Sequence, residues 1–536
     1  MQPDSRAKHI AVPERRLLLD SWPVVIAVLI FLLLSWIVLR DFQHRTGFSL
    51  TYALDDAYIH MAIAKNLVQH GVFGVTPYSF TASSSSPLWT LFIAAVYTVT
   101  GVRTFVPLAL NLFFGLCLLV LSSILLRSNG VKRKPTFLVL LAVIFFTPLI
   151  PMLFSGMEHV LQILLSLAFV YLAAVNLERG DTRSQRALLF LIAPFVAAVR
   201  YEGLFLLAIV SLLFLLRRRL LEAVTLLGLG LLPVAVMGFV SINHGWFFLP
   251  ASIVLKSTLL DNSQQISLLD FLLSGIKVII ANPYLFGLFL AAALTYFKNR
   301  ALPTWHRLQV MLLIFLGTVL MQVQFARVGW FYRYDAYLIA IGVFALGLSW
   351  TKSELQTIHI PSSRYLQLSA FLVILLLIPL GKRGLDSLKE TPIAMKNIYE
   401  QQYQMGLFIQ DYYRGRPVAI NDVGAVNFLG SGNNLDLWGL ASLEVAQMKM
   451  QRTYTPAAIR ELAQNKGVKI AIVYPSWVPV PDEWFRVGTW TIPNNVVCGS
   501  PTVTFYALTQ EEADNLRGNL HRFSSNLPAD VGKQIY

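Results

Sequence analysis

Leu54-Asp55-Asp56-Ala57-Tyr58-Ile59-His60 follows the first long apolar run, Trp22–Leu39. Two adjacent carboxylates are expensive in hydrocarbon. The pair therefore belongs at the membrane surface, within reach of water, a cation or a polar substrate. It opens a segment, Asp56 to His70, whose pattern predicts an amphipathic helix. A plainer reading makes Asp55 and Asp56 an N-terminal helix cap, favoured by the helix dipole. The local sequence supports both readings.

The surrounding composition fixes the class. The 536 residues are 56% hydrophobic and 13% charged, with a mean hydropathy of +0.60. A soluble domain carries about 25% charged residues, so the chain reads as a polytopic membrane protein with a smaller water-soluble part. The net charge of +14 is what basic cytoplasmic loops produce, and it is weak ground for a nucleic-acid partner. Cys117 lies in an apolar run and Cys498 in the polar tail, so no disulfide is expected. Lys8, Arg15 and Arg16 precede Trp22 as in a signal n-region. The run Trp22–Leu39 is nevertheless long enough to span, and no small-residue cleavage site follows it. It reads as an uncleaved first helix.

Apolar runs of ~17–25 residues, oriented by the Lys/Arg bias, predict about 11 spans with the N-terminus cytoplasmic and the C-terminus outside; the alternative is about 12 with the C-terminus inside. In the preferred arrangement Pro87–Thr100 and Leu268–Ile280 are interfacial. Thr136–Leu153 and Val160–Leu177 flank Ser155-Gly156-Met157-Glu158-His159, and Arg200-Tyr201-Glu202-Gly203 joins two short apolar runs. From Lys382 the long apolar runs stop. Thr391–Tyr413, Thr455–Gln464 and Gln510–Leu520 read as helices, and Pro417–Asn421, Val468–Tyr474 and Thr502–Leu508 as strands. The division is a transmembrane module over residues 1–381 and an extracytoplasmic α/β domain over 382–536.

The predicted outer face collects Asp55, Asp56, His60, Glu158, His159, Arg200, Glu202, Lys256, Arg327, Arg333 and Asp335. Any one of these is most simply a helix-end charge reaching for water. Together they point to a shared polar cavity. Asp55 or Asp56 could take a proton from a hydroxyl nucleophile or hold a divalent cation. Lys256, Arg200 and Arg333 could bind a phosphate leaving group. Trp246, Tyr201, Trp330 and Tyr332 could stack on a sugar or line an apolar groove. The sequence has no HExxH, P-loop, GxGxxG or spaced Cys/His motif.

An acidic motif in the first outer loop followed by Ser86-Pro87-Leu88-Trp89-Thr90 resembles the GT-C superfamily of polytopic glycosyltransferases that use polyprenyl-phosphate sugars. Within it, the chain is similar to the mycobacterial terminal β-(1→2) arabinofuranosyltransferases and their bacterial relatives. The matching pieces include Asp55-Asp56-Ala57-Tyr58-Ile59, Ser155-Gly156-Met157-Glu158, Arg200-Tyr201-Glu202-Gly203, Leu249-Pro250-Ala251-Ser252, Lys256-Ser257, Arg333-Tyr334, Asp422-Val423-Gly424-Ala425 and Asp436-Leu437-Trp438-Gly439-Leu440. Two departures, Tyr201 where the family pattern has proline and Ala251 where it has asparagine, keep arabinose from being carried over.

The resemblance implies a GT-C-like polytopic α-helical fold with a periplasmic α/β domain, in a bacterial inner membrane. It implies inverting transfer of a sugar from a polyprenyl-phosphate donor to a hydroxyl of a cell-envelope glycan, lipid-linked glycan or protein. Asp55 or Asp56 would be the base. Lys256, Arg333 and Arg200 would hold the donor phosphate. Glu158, His159, Tyr201, Glu202, Tyr332 and His60 would surround sugar and acceptor. No cofactor is required by the sequence, although the Asp55–Asp56 pair admits a divalent cation. The alternatives are a transporter or flippase of a lipid-linked or anionic solute, with the same charges lining a pathway, and a non-catalytic scaffold.

Overall fold

The computed structural model describes residues 14–179, 182–255, 267–351, 363–430 and 432–536. Lys256, expected at the phosphate, lies outside them. Five described helices are long and apolar enough to cross a membrane: Ser21–Thr46, Val106–Ser128, His159–Glu178, Leu220–Asn243 and Arg307–Phe325. Leu273–Ala281 and Pro283–Lys298 meet at 104° and add a sixth span if that bent pair is counted as one. Pro87–Thr100, Gly203–Leu216 and Ala336–Ser349 are apolar but shorter. The expected count of about 11 requires such short helices to cross as well. Residues 136–153, expected as one helix, form Arg133–Phe146 and Leu149–Phe154. Pro148 lies at the break; it has no N–H to continue the helical ladder.

One helix joins the two parts of the chain. Ser363–Ile398 runs straight through position 382, where the composition changes. It passes through a π-turn at Tyr399–Tyr403 into Gln404–Tyr412. The expected helix over 391–413 is thus the end of a longer element. The ring of Phe48 lies 4.8 Å from that of Tyr399 and 5.1 Å from that of Tyr403, so the first loop packs on the π-turn.

The tail builds a six-stranded sheet from β1 (Ala419–Ile420), β2 (Leu435–Asp436), β3 (Ile470–Val473), β4 (Phe485–Thr491), β5 (Thr502–Ala507) and β6 (Gly532–Ile535), in the order β2-β1-β3-β5-β4-β6. β2, β1 and β3 run parallel, and the other pairings are antiparallel. β3 is buried along its whole length, as a short, uninterrupted apolar strand requires. Ile470 and Ile472 join the core shared with the membrane helices, while Ala471 and Val473 face Ile459 and Ala463 on helix Pro456–Asn465. This alternation is the period of two in a strand. Cys117 and Cys498 are both free.

The helix Asp56–His70 has the predicted bounds, but it is not a surface helix. Ala57, Tyr58, Ile59, Met61, Ile63 and Ala64 are all buried, because helix Pro87–Thr100 and the short tail helix Ala425–Leu429 both pack on it. Lys65 Nζ donates to the carbonyls of Asn427 (3.2 Å) and Phe428 (2.6 Å), at the C-terminal end of that helix. The contact requires glycine at 424: a Cβ there would stand 2.1 Å from the Asp55 carbonyl oxygen. Gly424→Ala should therefore loosen the tail from the helical module. The expected outcome is a melting temperature lowered by several degrees in detergent and faster proteolysis of the tail, with overexpressed protein still inserting in membranes.

Candidate active site

The site forms where the first loop, two helix-to-helix turns and the tail meet. Asp55 stands at the N-cap position of helix Asp56–His70, but its side chain caps nothing there. Its carboxylate instead accepts hydrogen bonds from the tail. Gly424 N–H donates to Oδ2 and Ala425 N–H to Oδ1, each at 2.8 Å. Asp55 thus caps a helix 369 residues further along the chain, and the local-cap reading is corrected. Asp422 lies beside it, accepting hydrogen bonds from Tyr474 Oη (2.8 Å) and Gln402 Nε2 (3.0 Å). Burial and the neighbouring Asp422 charge push the Asp55 carboxyl up to about 8, against the pull of the two N–H donors. Burial, together with Asp56, pushes Asp422 up as well.

Asp56 faces another way. Its Oδ2 lies 2.6 Å from Arg333 Nη2, and its side chain keeps 31% of its exposure while that of Arg333 keeps 3%. The Nε and Nη1 of Arg333 are buried without a hydrogen-bond partner. The ring of Tyr334 lies between two guanidinium groups, 4.9 Å from that of Arg333 and 5.5 Å from that of Arg200. Arg200 bonds Glu202 through Nε (3.0 Å) and Nη2 (2.7 Å), and its Nη1 donates to Glu158 Oε1 at 2.8 Å. Burial opposes the Arg200 charge, but Glu202 and Glu158 outweigh it and hold the guanidinium above its usual value. Burial likewise opposes ionisation of Glu202, and Arg200 overcomes it and holds the carboxyl below its usual value.

His60, one helical turn from Asp56, brings Nε2 to 3.6 Å from Glu158 Oε2, and its Nδ1 lies 2.8 Å from Thr90 Oγ1. Burial lowers the His60 pKa against the opposing Glu158 charge, so the imidazole is neutral at pH 7.

The quoted motifs turn out to be the joinery of this site. Ser86 caps helix Pro87–Thr100 by accepting from Trp89 N–H, and Trp89 Nε1 donates to the Gly156 carbonyl at 3.1 Å. Gly156 has φ +68°, and a Cβ there would stand 2.6 Å from the Tyr52 ring. Asp436 is spent on a turn, accepting from the N–H of Trp438 and Ala441 at 2.7 Å each. Ser83 Oγ ties that turn to the first loop through the Leu440 carbonyl at 2.7 Å.

Of the residues expected at the site, Asp55, Asp56, His60, Glu158, Arg200, Glu202 and Arg333 are linked by the contacts above. His159 is fully buried, and its Nδ1 lies 3.3 Å from Gln162 Oε1. Tyr201 is half-buried beside Arg200. Tyr332 turns away: its hydroxyl donates to Glu390 at 2.5 Å, and its carbonyl accepts from Arg383, which also binds Asp335 at 3.1 Å. The positive φ of Phe331 and Tyr332 makes that turn. Tyr334, Lys65 and Asp422 are site residues to which the sequence reading gave no role. Lys65 carries no pattern, whereas Tyr334 and Asp422 fall in quoted motifs.

A divalent cation does not fit the Asp55–Asp56 pair as it stands. The Asp55 oxygens are taken by backbone donors, and Asp56 faces a guanidinium. Among the described residues, no group of three or more His, Cys, Asp or Glu side chains is placed to hold a metal ion.

With this geometry, the chain is a helical membrane protein carrying a sheet-containing tail that completes a polar site at the helix ends. Its architecture has been seen before. ArnT from Cupriavidus metallidurans, in the crystal structure bound to undecaprenyl phosphate, superposes with a TM-score of 0.54 at 12% identity, over 92% of this chain and 99% of ArnT. The apo ArnT structure gives 0.52 at 13% identity, over 91% and 98%. These values establish a shared fold. The oligosaccharyltransferase of Archaeoglobus fulgidus, in complex with Zn and sulfate, matches at 0.46 and 12% identity over 95% of this chain and 74% of its own, too low to carry an argument. A family described as a domain of unknown function (DUF8728) matches residues 396–506. No curated protein matches the sequence.

The Asp55–Asp422 pair predicts a pH dependence. Both carboxyls titrate higher in the folded chain than in the unfolded one. Below about pH 4 both states hold the protons; as pH rises toward 8 the unfolded chain releases them first, and stability falls. The melting temperature should drop from pH 5 to pH 8. Asp422→Asn, which removes one of the two charges, should flatten that slope in differential scanning fluorimetry.

Proposed function

We propose that this protein is a GT-C glycosyltransferase that moves a sugar from a polyprenyl-phosphate donor to a hydroxyl acceptor on the outer face of the bacterial inner membrane, with inversion at the anomeric carbon. The observation that carries the reading is the pairing of a part-exposed carboxylate, Asp56, with a buried Arg333 that has two unspent N–H donors. The fold shared with a protein crystallised with undecaprenyl phosphate supports the class of donor.

In this reading the Asp56 carboxylate accepts the acceptor's hydroxyl proton as the oxygen attacks the anomeric carbon. The bond from that carbon to the phosphate oxygen breaks, and the polyprenyl phosphate leaves as an anion. Arg333, held to Asp56 through Nη2, meets the developing charge with an N–H left unspent at Nη1 or Nε, a charge-assisted hydrogen bond. Lys256 is a second candidate cation. Arg200 is already engaged by Glu158 and Glu202, so it holds Tyr334 and the Glu158 carboxylate in place beside the phosphate. Asp55 anchors the tail and leaves the base role to its neighbour. The tail, residues 382–536, stands in the periplasm.

The test is transfer from a labelled polyprenyl-phosphate sugar by purified, reconstituted protein. Asp56→Asn should lower the rate by about 10²-fold or more, the usual worth of a positioned base. Asp55→Asn should retain transfer while melting earlier. Wild-type rates from Asp56→Asn would sink the mechanism. Arg333→Lys, which keeps the charge and loses the guanidinium geometry, should lower kcat with the donor saturating as well as kcat/KM.

A further inference from the structure

A cleft of about 920 Å³ opens beside the Asp55 anchor, between the helical module and the tail. One wall is apolar: Pro87 and Leu91 of helix Pro87–Thr100, with Met237 and Val240 near the end of the candidate span Leu220–Asn243. Leu91 is 49% exposed into it. The facing wall belongs to the tail and is polar but almost uncharged: Asn427, Asn433, Asn434 and Ser442. Aromatic side chains of the first loop and of the turn after Asn243, Phe73, Tyr78, Phe80 and Trp246, close the sides, and the His244 ring stacks on Phe80 at 4.4 Å.

Charge decides what such a cleft can hold. Lys466 is the one Lys or Arg among the described lining residues, and its Nζ is already 2.6 Å from Glu444, which also lines the cleft. Asp436 is committed to its own turn. Among the described residues no unspent cation is offered to a phosphate here, and the buried guanidiniums of Arg333 and Arg200 do not line the cleft. Amides, hydroxyls and aromatic faces opposite an apolar wall suit a different molecule. Aromatic rings take the C–H faces of sugars and amides take their hydroxyls, while an alkyl chain is buried against Leu91, Met237 and Val240.

We propose that this cleft seats a lipid whose head is an uncharged glycan, head against the tail domain and chain along the Leu91–Met237–Val240 wall. In the transferase reading, on which the word rests, that lipid is the acceptor. Its position fits the role. Val423 lines the cleft and is flanked by Asp422 and by Gly424, the residue bonded to Asp55. The donor phosphate and the acceptor head therefore approach the Asp55–Asp56 pair from separate pockets, one cationic and one neutral.

The experiment is photolabelling of the full-length protein in nanodiscs with a photoreactive alkyl maltoside, mapped by mass spectrometry. Label is expected on the peptides carrying Leu91 and Met237–Val240. An unlabelled diglycosyl diacylglycerol should displace it, and neither an alkyl phosphate nor a free oligosaccharide at the same concentration should. Met237→Trp with Val240→Trp, which fills the apolar wall, should reduce labelling by about tenfold, equivalent to about 1.4 kcal/mol of binding, in protein whose melting temperature is unchanged. Label spread over all lipid-facing helices overturns the proposal, as does equal displacement by alkyl phosphate, or by free oligosaccharide. Binding of a labelled polyprenyl-phosphate sugar is measured in the same sample. Its absence with cleft labelling intact sinks the transferase reading and supports the cleft as a glycolipid site; its presence with scattered label does the reverse.

Discussion

Two backbone N–H groups of the tail, those of Gly424 and Ala425, end on one carboxylate of the first loop, Asp55, and the arrangement of the site depends on that contact. A carboxyl enclosed by protein must find donors or lose its charge. Nothing in its own helix supplies them. The tail does, and in doing so fixes where the sheet domain stands. Lys65 completes the grip on the carbonyl side of the same short helix. The Asp55 oxygens accept at the N–H end, and the Lys65 ammonium at the carbonyl end matches the direction of the peptide dipoles. Both come from one helix, so the register between module and tail has little freedom to slip. The absence of a side chain at Gly424 is part of the same contact.

With Asp55 so engaged, the two adjacent carboxylates divide their tasks. Asp56 points at Arg333, and from there a chain of charge-assisted contacts runs through Tyr334 and Arg200 to Glu158, Glu202 and His60. Arg200 engages two carboxylates, Glu202 and Glu158, and is a structural centre. Arg333 has one carboxylate contact, with Asp56, and two buried donors to spare. A buried, half-satisfied guanidinium costs stability, and such strain tends to persist where a ligand relieves it. The same contrast separates the guanidiniums of Arg333 and Arg200 from the cleft lined by Val423, where Lys466 is paired with Glu444. Each takes its chemistry from a different part of the chain: the cations from helix-to-helix turns, the amides from the tail.

Much of this was legible in the sequence, for a physical reason. Periodicity and end signals are local, so helix Asp56–His70 has its predicted bounds, and β3 and β5 fall within residues 468–474 and 502–508. The elements that escaped have weak local signals. β2 has two residues, β6 is largely exposed, and β4 is interrupted by Gly488 and exposed at both ends, whereas β1 lies within the predicted 417–421. The break at Thr147–Pro148 lies inside an apolar run whose hydropathy never falls. The quoted motifs located the site, because seven of the eleven candidate residues join one network. What they could not reveal was direction. No pattern in the sequence says that Asp55 faces a glycine in the tail, or that Tyr332 turns toward Glu390 while Arg333 turns toward Asp56.

The same geometry bears on the transport alternative. A pathway for a charged solute needs polar groups continuing through the helical layer. Helix His159–Arg179 begins that way, with His159, Gln162 and Ser166 buried on it, each with an atom lacking a hydrogen-bond partner. An apolar stretch follows, Phe169, Val170, Ala173 and Ala174, all fully buried, before the buried Asn176. The acidic and basic side chains of the site, Asp56, Arg333, Arg200, Glu158 and Glu202, sit at or beyond the helix ends. Among the described residues, Arg333 meets the Asp56 carboxylate and, across the Tyr334 ring, the Arg200 guanidinium, all at helix ends, and in the proposed transferase reading that is where donor and acceptor meet.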